Sequence, residues 1–302
     1  MSDDNPYEAL GGEGDARWAF GTGFTDPLAG VDTTVPAGVD GGDLAAYCLM
    51  LGDDALVMSH RLQEWCTRAP ELEEEVALAN IALDLLGQAR LLLARAGQAD
   101  GGGRSEDDLA FLRDAPDFRN VRLAEAAGGD FARSMARLLV FAAWRLALLD
   151  RLTGSRDPVL AAVAAKGVKE VTYHRDYAAG WVVRLGDGTA YSRSRMEEGL
   201  AAVWPLVAEL FTPHEVELRL ARAGVAVDPS ELRAEFDAVL DQVLDAAGLT
   251  RPAAVPVEGR QAAQEAGEAP EAGGRDGRHG AELDEVLAVM QSVARALPGA
   301  TW

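Results

Sequence analysis

Four long runs of helical pattern constrain the fold of this chain more than any other feature. They cover about residues 43–67 (helix A), 71–96 (helix B), 130–152 (helix C) and 157–185 (helix D). Alternating runs of β-branched and aromatic residues between hairpin turns, which are typical of strands, hardly occur. The chain is therefore predicted to be all-α.

The connections between these helices favour one architecture. Short turns join A to B and C to D, whereas a long crossover at about residues 97–129 joins the two pairs. Two helical hairpins linked by one crossover are typical of a ferritin-like four-helix bundle. Further helices are predicted to pack around this bundle, at about residues 192–211, 213–223, 228–247 and 281–297.

Two segments lack any sustained hydrophobic period. Residues 1–42 are rich in Gly, Asp, Ala and Pro and are predicted to form a disordered acidic tail. A second such stretch, at about residues 252–280, is predicted to be a flexible surface linker. The domain then covers residues 43–302 and contains this linker.

The charge balance limits the classes of partner. The 302 residues include 28 Lys and Arg against 49 Asp and Glu, a net charge of −21. Such a field repels nucleic acid and anionic membrane surfaces. No run of about 18 uninterrupted apolar residues occurs, and the acidic start of the chain does not resemble a secretion signal. A cytoplasmic location is expected.

The two cysteines, Cys48 and Cys66, are both predicted within helix A. At ~1.5 Å per residue they would lie roughly 27 Å apart, too far to form a disulfide. Both are expected to be small buried side chains. Trp144, Trp181 and Trp204 occupy apolar helical positions and are expected in the core or at an interface.

A polar stripe interrupts the otherwise apolar helix B, and helix D carries a similar one. Each stripe follows an i, i+4, i+8 spacing and therefore lies on one helix face. The two stripes are predicted to face each other inside the bundle. They consist of Asn80, Asp84 and Gln88 on B, and Lys166, Glu170 and His174 on D.

Bundles of this shape hold two iron ions when two helices each supply a Glu and the other two each supply a Glu-x-x-His pair. No Glu in this sequence is followed three residues later by His. Helix C has no carboxylate between Phe131 and Leu149, and Asp276 and His279 have the spacing but lie in the predicted linker. We therefore predict no catalytic residue and no metal ligand.

The degenerate metal positions are instead expected to form a polar network. An unpaired buried charge costs several kcal/mol, so Asp84 and Glu170 should be buried and bonded to some of the nearby basic side chains. The alternative is that one or both carboxylates point to solvent. The positions concerned are His60, Glu64, Asp84, Arg137, Lys166, Glu170 and His174.

Beyond these patterns, the chain resembles a known family. Residues 51–96 are similar to the signature of the non-catalytic ferritin-like subunits of ring-1,2-phenylacetyl-CoA epoxidases. The tail and the linker depart from that family. Further similar segments follow in the family's order at residues 108–114, 155–158, 169–174, 180–181, 184–188, 224–229 and 297–302.

The resemblance implies a structural subunit of a multicomponent monooxygenase in aerobic phenylacetate degradation. A related subunit would hold the di-iron centre and epoxidise the ring of phenylacetyl-CoA. A reductase with flavin and iron–sulfur groups would supply electrons from NADPH, and a small subunit would assist assembly. This chain would hold no cofactor. The alternative is a divergent ferritin-like metal-dependent oxygenase, acting in its own right through His60, Glu64, Asp84, Glu170 and His174.

Overall fold

The computed structural model describes residues 28–253, 273–298 and 300. These residues form eleven α-helices and no strand, which confirms the predicted all-α, ferritin-like bundle with additional packing helices. The helices are α1 (Gly41–Gln63), α2 (Leu72–Ala99), α3 (Glu106–Phe111), α4 (Arg122–Glu125), α5 (Phe131–Leu152), α6 (Pro158–Gly186), α7 (Ala190–Val203), α8 (Glu215–Arg222), α9 (Arg233–Ala247), α10 (Ala281–Met290) and α11 (Ser292–Ala296).

The predicted helices A to D correspond to α1, α2, α5 and α6, and local capping explains where three of them begin. Asp40, Asp130 and Asp157 each accept a hydrogen bond from the backbone N–H three residues on. Pro158 occupies the first turn of α6, where no backbone N–H is needed. The first helix ends at Gln63, earlier than predicted, and Thr67 in the following turn has a left-handed φ of 74°.

The bundle core lies between two helix pairs, α1 with α2 and α5 with α6. Nearly every side of α5 is buried, because α7 and α9 also pack on this hairpin. Trp144 is buried, Trp204 is nearly so, and the ring of Trp181 packs edge-on against Phe131 at 4.9 Å. The tryptophans therefore lie in or against the core, as predicted.

The helix predicted at residues 192–211 is divided in two. After α7 the chain continues as a 3-10 helix over Trp204–Phe211. Pro205 supplies no backbone N–H and its ring crowds the preceding turn, so the α-helix cannot continue through it. The same local cause shortens the helix predicted at residues 228–247, since Pro229 opens a 3-10 turn before α9.

The predicted disordered tail and the predicted flexible linker both contain residues that pack against the bundle. Val31, Val35 and Val39 lie partly buried against the core, so residues 28–42 are not a free tail. Arg275 is buried, so the linker prediction is wrong from residue 273 onward. Residues 1–27 and 254–272 lie outside the described residues.

The two cysteines have different surroundings. Cys48 is buried in α1, and this burial raises the pKa of its thiol. Cys66 is exposed, contrary to prediction, because α1 ends before reaching it. Neither forms a disulfide.

One helix within the described ranges, α2, is long and apolar enough to span a membrane. The core helix of a soluble protein passes the same test.

Candidate functional site

The stripes of α2 and α6 meet, as the sequence predicts, and their first contact joins Asp84 to His174. Nε2 of His174 lies 3.0 Å from Oδ2 of Asp84. His174 is buried, with 1% of its side chain exposed, whereas the side chain of Asp84 is 39% exposed. The expectation that Asp84 is buried is therefore wrong, because it lies at the edge of the α2/α6 contact.

The second contact of the stripe surrounds Glu170. Its carboxylate forms an ion pair with Lys166, one turn earlier on α6. It also accepts a hydrogen bond of 2.9 Å from Nε2 of Gln88 on α2. Gly167 allows this approach, because a Cβ atom there would lie 3.4 Å from Cδ of Gln88 and 2.8 Å from a methyl group of Leu149.

Arg145 on α5, which is not among the predicted site residues, extends this network into the core. Its Nε donates to Oε1 of Gln88 at 3.0 Å, and its two terminal nitrogens approach the backbone oxygen of Leu51 at 3.3 and 3.4 Å. Burial lowers the pKa of Arg145 to about 10, so it remains a cation at neutral pH. The available signal was that Arg145 is the single charged residue in the apolar run from residue 138 to residue 149.

Asp54 on α1 is buried close to Arg145. It faces Arg275, whose terminal nitrogens lie 3.0 and 2.8 Å from the two carboxylate oxygens. The backbone N–H of Val121 also donates to Oδ1 of Asp54 at 2.8 Å. Burial raises the pKa of Asp54, and the charge of Arg275 opposes that shift.

The neighbouring Asp53 is also buried and makes a similar set of contacts. It forms an ion pair with Arg113 and accepts a hydrogen bond of 2.9 Å from the backbone N–H of Arg119. Both buried aspartates of α1 are therefore held by cations from other parts of this chain. The position of two adjacent aspartates inside an apolar run was the available sequence signal for these buried ion pairs.

Three of the predicted network residues lie elsewhere, near the end of α1. Glu64 pairs with Arg61 at 2.7 Å. Arg137 is buried and donates to the backbone oxygen of Ala126, while its Nε and one terminal nitrogen have no partner among the described residues. Burial lowers the pKa of His60. Of the basic residues proposed to neutralise Asp84 and Glu170, the described contacts join only Lys166 and His174 to them.

The Asp-x-x-His spacing near the C-terminal end does not form a ligand pair. The side chain of His279 lies 2.7 Å from Oε2 of Glu125 and 3.0 Å from the backbone oxygen of Phe118. Asp276 instead accepts from the backbone N–H of Gly273, which closes a tight turn. His279 therefore fastens the C-terminal segment to the bundle, whereas Asp276 stabilises a turn within that segment.

The donor set does not fit a di-iron centre. In the part of the chain that the structure describes, no three His, Cys, Asp or Glu side chains come together as a metal site needs. The carboxylates of the bundle instead face cationic side chains, Glu170 facing Lys166 and Asp54 facing Arg275. A metal ion placed between them would be repelled by these charges.

Comparison with known proteins supports the resemblance seen in the sequence. The model of a family described as phenylacetic acid catabolic protein matches residues 32–302. The chain is also 45% identical, over 259 residues, to the C subunit of 1,2-phenylacetyl-CoA epoxidase from Escherichia coli (strain K12). That alignment covers 86% of this chain and 99% of the relative. With its bundle fold and this match over most of its length, the chain belongs to the phenylacetic acid catabolic protein family.

Proposed function

We propose that this chain is a structural, non-catalytic subunit of a multicomponent monooxygenase that epoxidises the ring of phenylacetyl-CoA in aerobic phenylacetate degradation. The observation that carries the proposal is the pairing of Glu170 and Asp54 with Lys166 and Arg275. These cations belong to the chain itself and neutralise carboxylates inside the bundle, whereas a di-iron oxygenase keeps the carboxylates of its bundle free to bind iron.

The proposed partner is a catalytic subunit that holds a di-iron centre. The relative is named as a subunit, and the resemblance of the sequence extends this to a cytoplasmic complex with a small assembly subunit and a reductase. The reductase would use NADPH with flavin and iron–sulfur groups. Under this proposal our chain contributes no cofactor.

The proposed physical role is to give the catalytic subunit a rigid surface to pack against. Catalytic constellations need their supporting elements fixed to about half an ångström. Buried ion pairs joining distant segments, such as Asp53 with Arg113 and Arg95 with Asp157, suit this role because they hold the bundle in one arrangement. Removing one partner of such a pair is strongly destabilising.

The second candidate function is a divergent metal-dependent oxygenase that acts alone. It would need His60, Glu64, Asp84, Glu170 and His174 to converge on one metal. Glu64 instead pairs with Arg61, and Glu170 pairs with Lys166, so the described contacts favour the structural subunit.

The test is reconstitution with metal analysis. The chain and the proposed di-iron subunit are purified separately, and iron content and phenylacetyl-CoA-dependent oxygen consumption are measured for each and for their mixture with the reductase. We expect no stoichiometric iron in this chain, and turnover only when both are present. Stoichiometric iron together with turnover by this chain and the reductase alone would contradict the proposal.

A further inference from the structure

The outer side of α2 carries apolar side chains that the other described residues leave exposed. Leu72, Val76 and Leu83 are 69%, 53% and 58% exposed. Together with Asn80 and Gly87 they recur every three or four residues, so they form one continuous stripe along the helix. Between Val76 and Gly87 the only charged residue of α2 is Asp84. It lies at the edge of the stripe and is bonded to His174.

Helix α6 continues this surface beside α2. Tyr173 is more than half exposed, and Gly180 follows it seven residues later on the same helix face. Among the described residues, no atom lies within 4 Å of a Cβ built on either Gly87 or Gly180, so both backbones are open to approach. We call these residues, Leu72, Val76, Asn80, Leu83 and Gly87 with Tyr173 and Gly180, the α2/α6 face.

The composition of α2 indicates that this face is covered in the working protein. Over an apolar stretch of 18 residues in α2, only 44% of the residues are buried by the parts of the chain that the structure describes. A continuous exposed apolar surface that is rimmed by polar groups marks an interaction site in soluble proteins. The polar stripe beneath it is already satisfied by Lys166, Gln88 and His174, so the partner need not supply charges there.

The charges at one end of the face indicate what kind of chain covers it. The first turn of α2 contains Glu73, Glu74 and Glu75 and follows Glu71. The whole chain carries a net charge of −21, so two copies would repel each other as they approach. A different chain with an apolar helical surface and basic side chains opposite Glu71–Glu75 is electrostatically complementary.

From these observations we infer that the α2/α6 face is the docking surface for the di-iron subunit. This inference rests on the proposed function and adds the place of contact. The partner would lay an apolar helix against Val76, Leu83 and Tyr173, with basic residues beside the acidic first turn of α2. Close helix packing is possible because Gly87 and Gly180 leave room at the surface.

The test compares two charged double variants of the full chain. Val76→Glu with Leu83→Glu places two charges in the α2/α6 face. The control, Val289→Glu with Val293→Glu, places the same charges at two exposed apolar positions outside the α2/α6 face, Val289 on α10 and Val293 on α11. All four substituted side chains are more than half exposed, so neither variant should shift the melting temperature of the isolated chain.

Binding to the purified di-iron subunit is measured by calorimetry, and the mass of each variant alone by light scattering. We expect the α2 variant to raise the dissociation constant by about 100-fold or more, since charges buried at the centre of an interface are costly. The control should bind like the wild-type chain.

Several results would overturn this inference. One is wild-type binding by the α2 variant, and another is loss of binding by the control alone. A third is a wild-type dimer that the α2 variant dissociates without weakening binding to the di-iron subunit, because a second copy would then occupy the face. If the wild-type chain itself does not bind that subunit, the proposed function fails as well, and this outcome is distinct from the others.

Discussion

Asp54 on α1 and Glu170 on α6 show two different ways in which this bundle neutralises a carboxylate. Glu170 pairs with Lys166 only four residues away on the same helix, and both side chains remain partly exposed. Asp54 is completely buried and pairs with Arg275, which lies 221 residues later in the sequence. The first pair is local to one helix, whereas the second joins the C-terminal segment to the core.

This contrast indicates which polar contacts hold the domain together. A partly exposed pair within one helix contributes about 0.3–0.5 kcal/mol, because water and salt screen it. A buried pair costs several kcal/mol when one partner is lost, since the remaining charge has no compensation. The buried ion pairs of Asp53 and Asp54 should therefore determine stability, and the polar stripes of α2 and α6 should have little influence on it.

The largest effect is expected from removing Arg275. Arg275→Ala leaves Asp54 buried without its cation, and we expect a loss of about 3–5 kcal/mol in the free energy of unfolding. The measurement is urea denaturation of the full chain, with the exposed neighbour Arg278→Ala as the matched control. A change of less than about 1 kcal/mol for Arg275→Ala, the range of a surface pair, would show that the pair does not hold the C-terminal segment.

A smaller effect, with a defined pH dependence, is expected at His279. Burial works to lower the pKa of His279, but its hydrogen bonds to Glu125 and Phe118 outweigh this and raise the pKa above 6.5. A raised pKa in the folded state gives stability that is fully present below pH 6.5 and is lost as the pH rises through the folded value. The contact should therefore matter more at pH 6 than at pH 9.

The measurement compares His279→Gln with the wild-type chain by urea denaturation at these two pH values. Because His60 and His214 are present in both proteins, their titration cancels in the difference. The free-energy cost of the substitution should be larger at pH 6. An equal cost at both values, or a larger cost at pH 9, would contradict a protonated His279.

The sequence was sufficient for the parts of the fold that depend on local signals. Asp130 and the Asp157–Pro158 pair mark helix starts by capping, and long apolar runs mark the bundle helices. Pro205 was an equally local signal for the end of α7, but the prediction passed over it. These features can be read because each cause lies within one turn of its effect.

The buried charge network could not be read in the same way. Arg275 lies in a glycine-rich stretch whose composition is typical of a linker, so only the fold shows that it inserts beside Asp54. The burial of Arg145 was readable from its apolar helix, but its partner Gln88 was not. Asp84 was expected to be buried, because a helical period shows which face is polar but not how much of it a neighbour covers.

The central claim is that the polar stripes of α2 and α6 are structural and take no part in oxygen chemistry. The most direct test is the variant Asp84→Asn, Glu170→Gln and His174→Gln, assembled with the di-iron subunit and the reductase. Because these near-isosteric changes remove the ionisable groups and keep polar side chains, we expect phenylacetyl-CoA-dependent turnover and iron content per complex equal to those of the wild-type assembly. Loss of iron, or a loss of turnover of about tenfold or more in a fully assembled complex, would contradict the claim, since removing a catalytic acid or base typically costs at least that much.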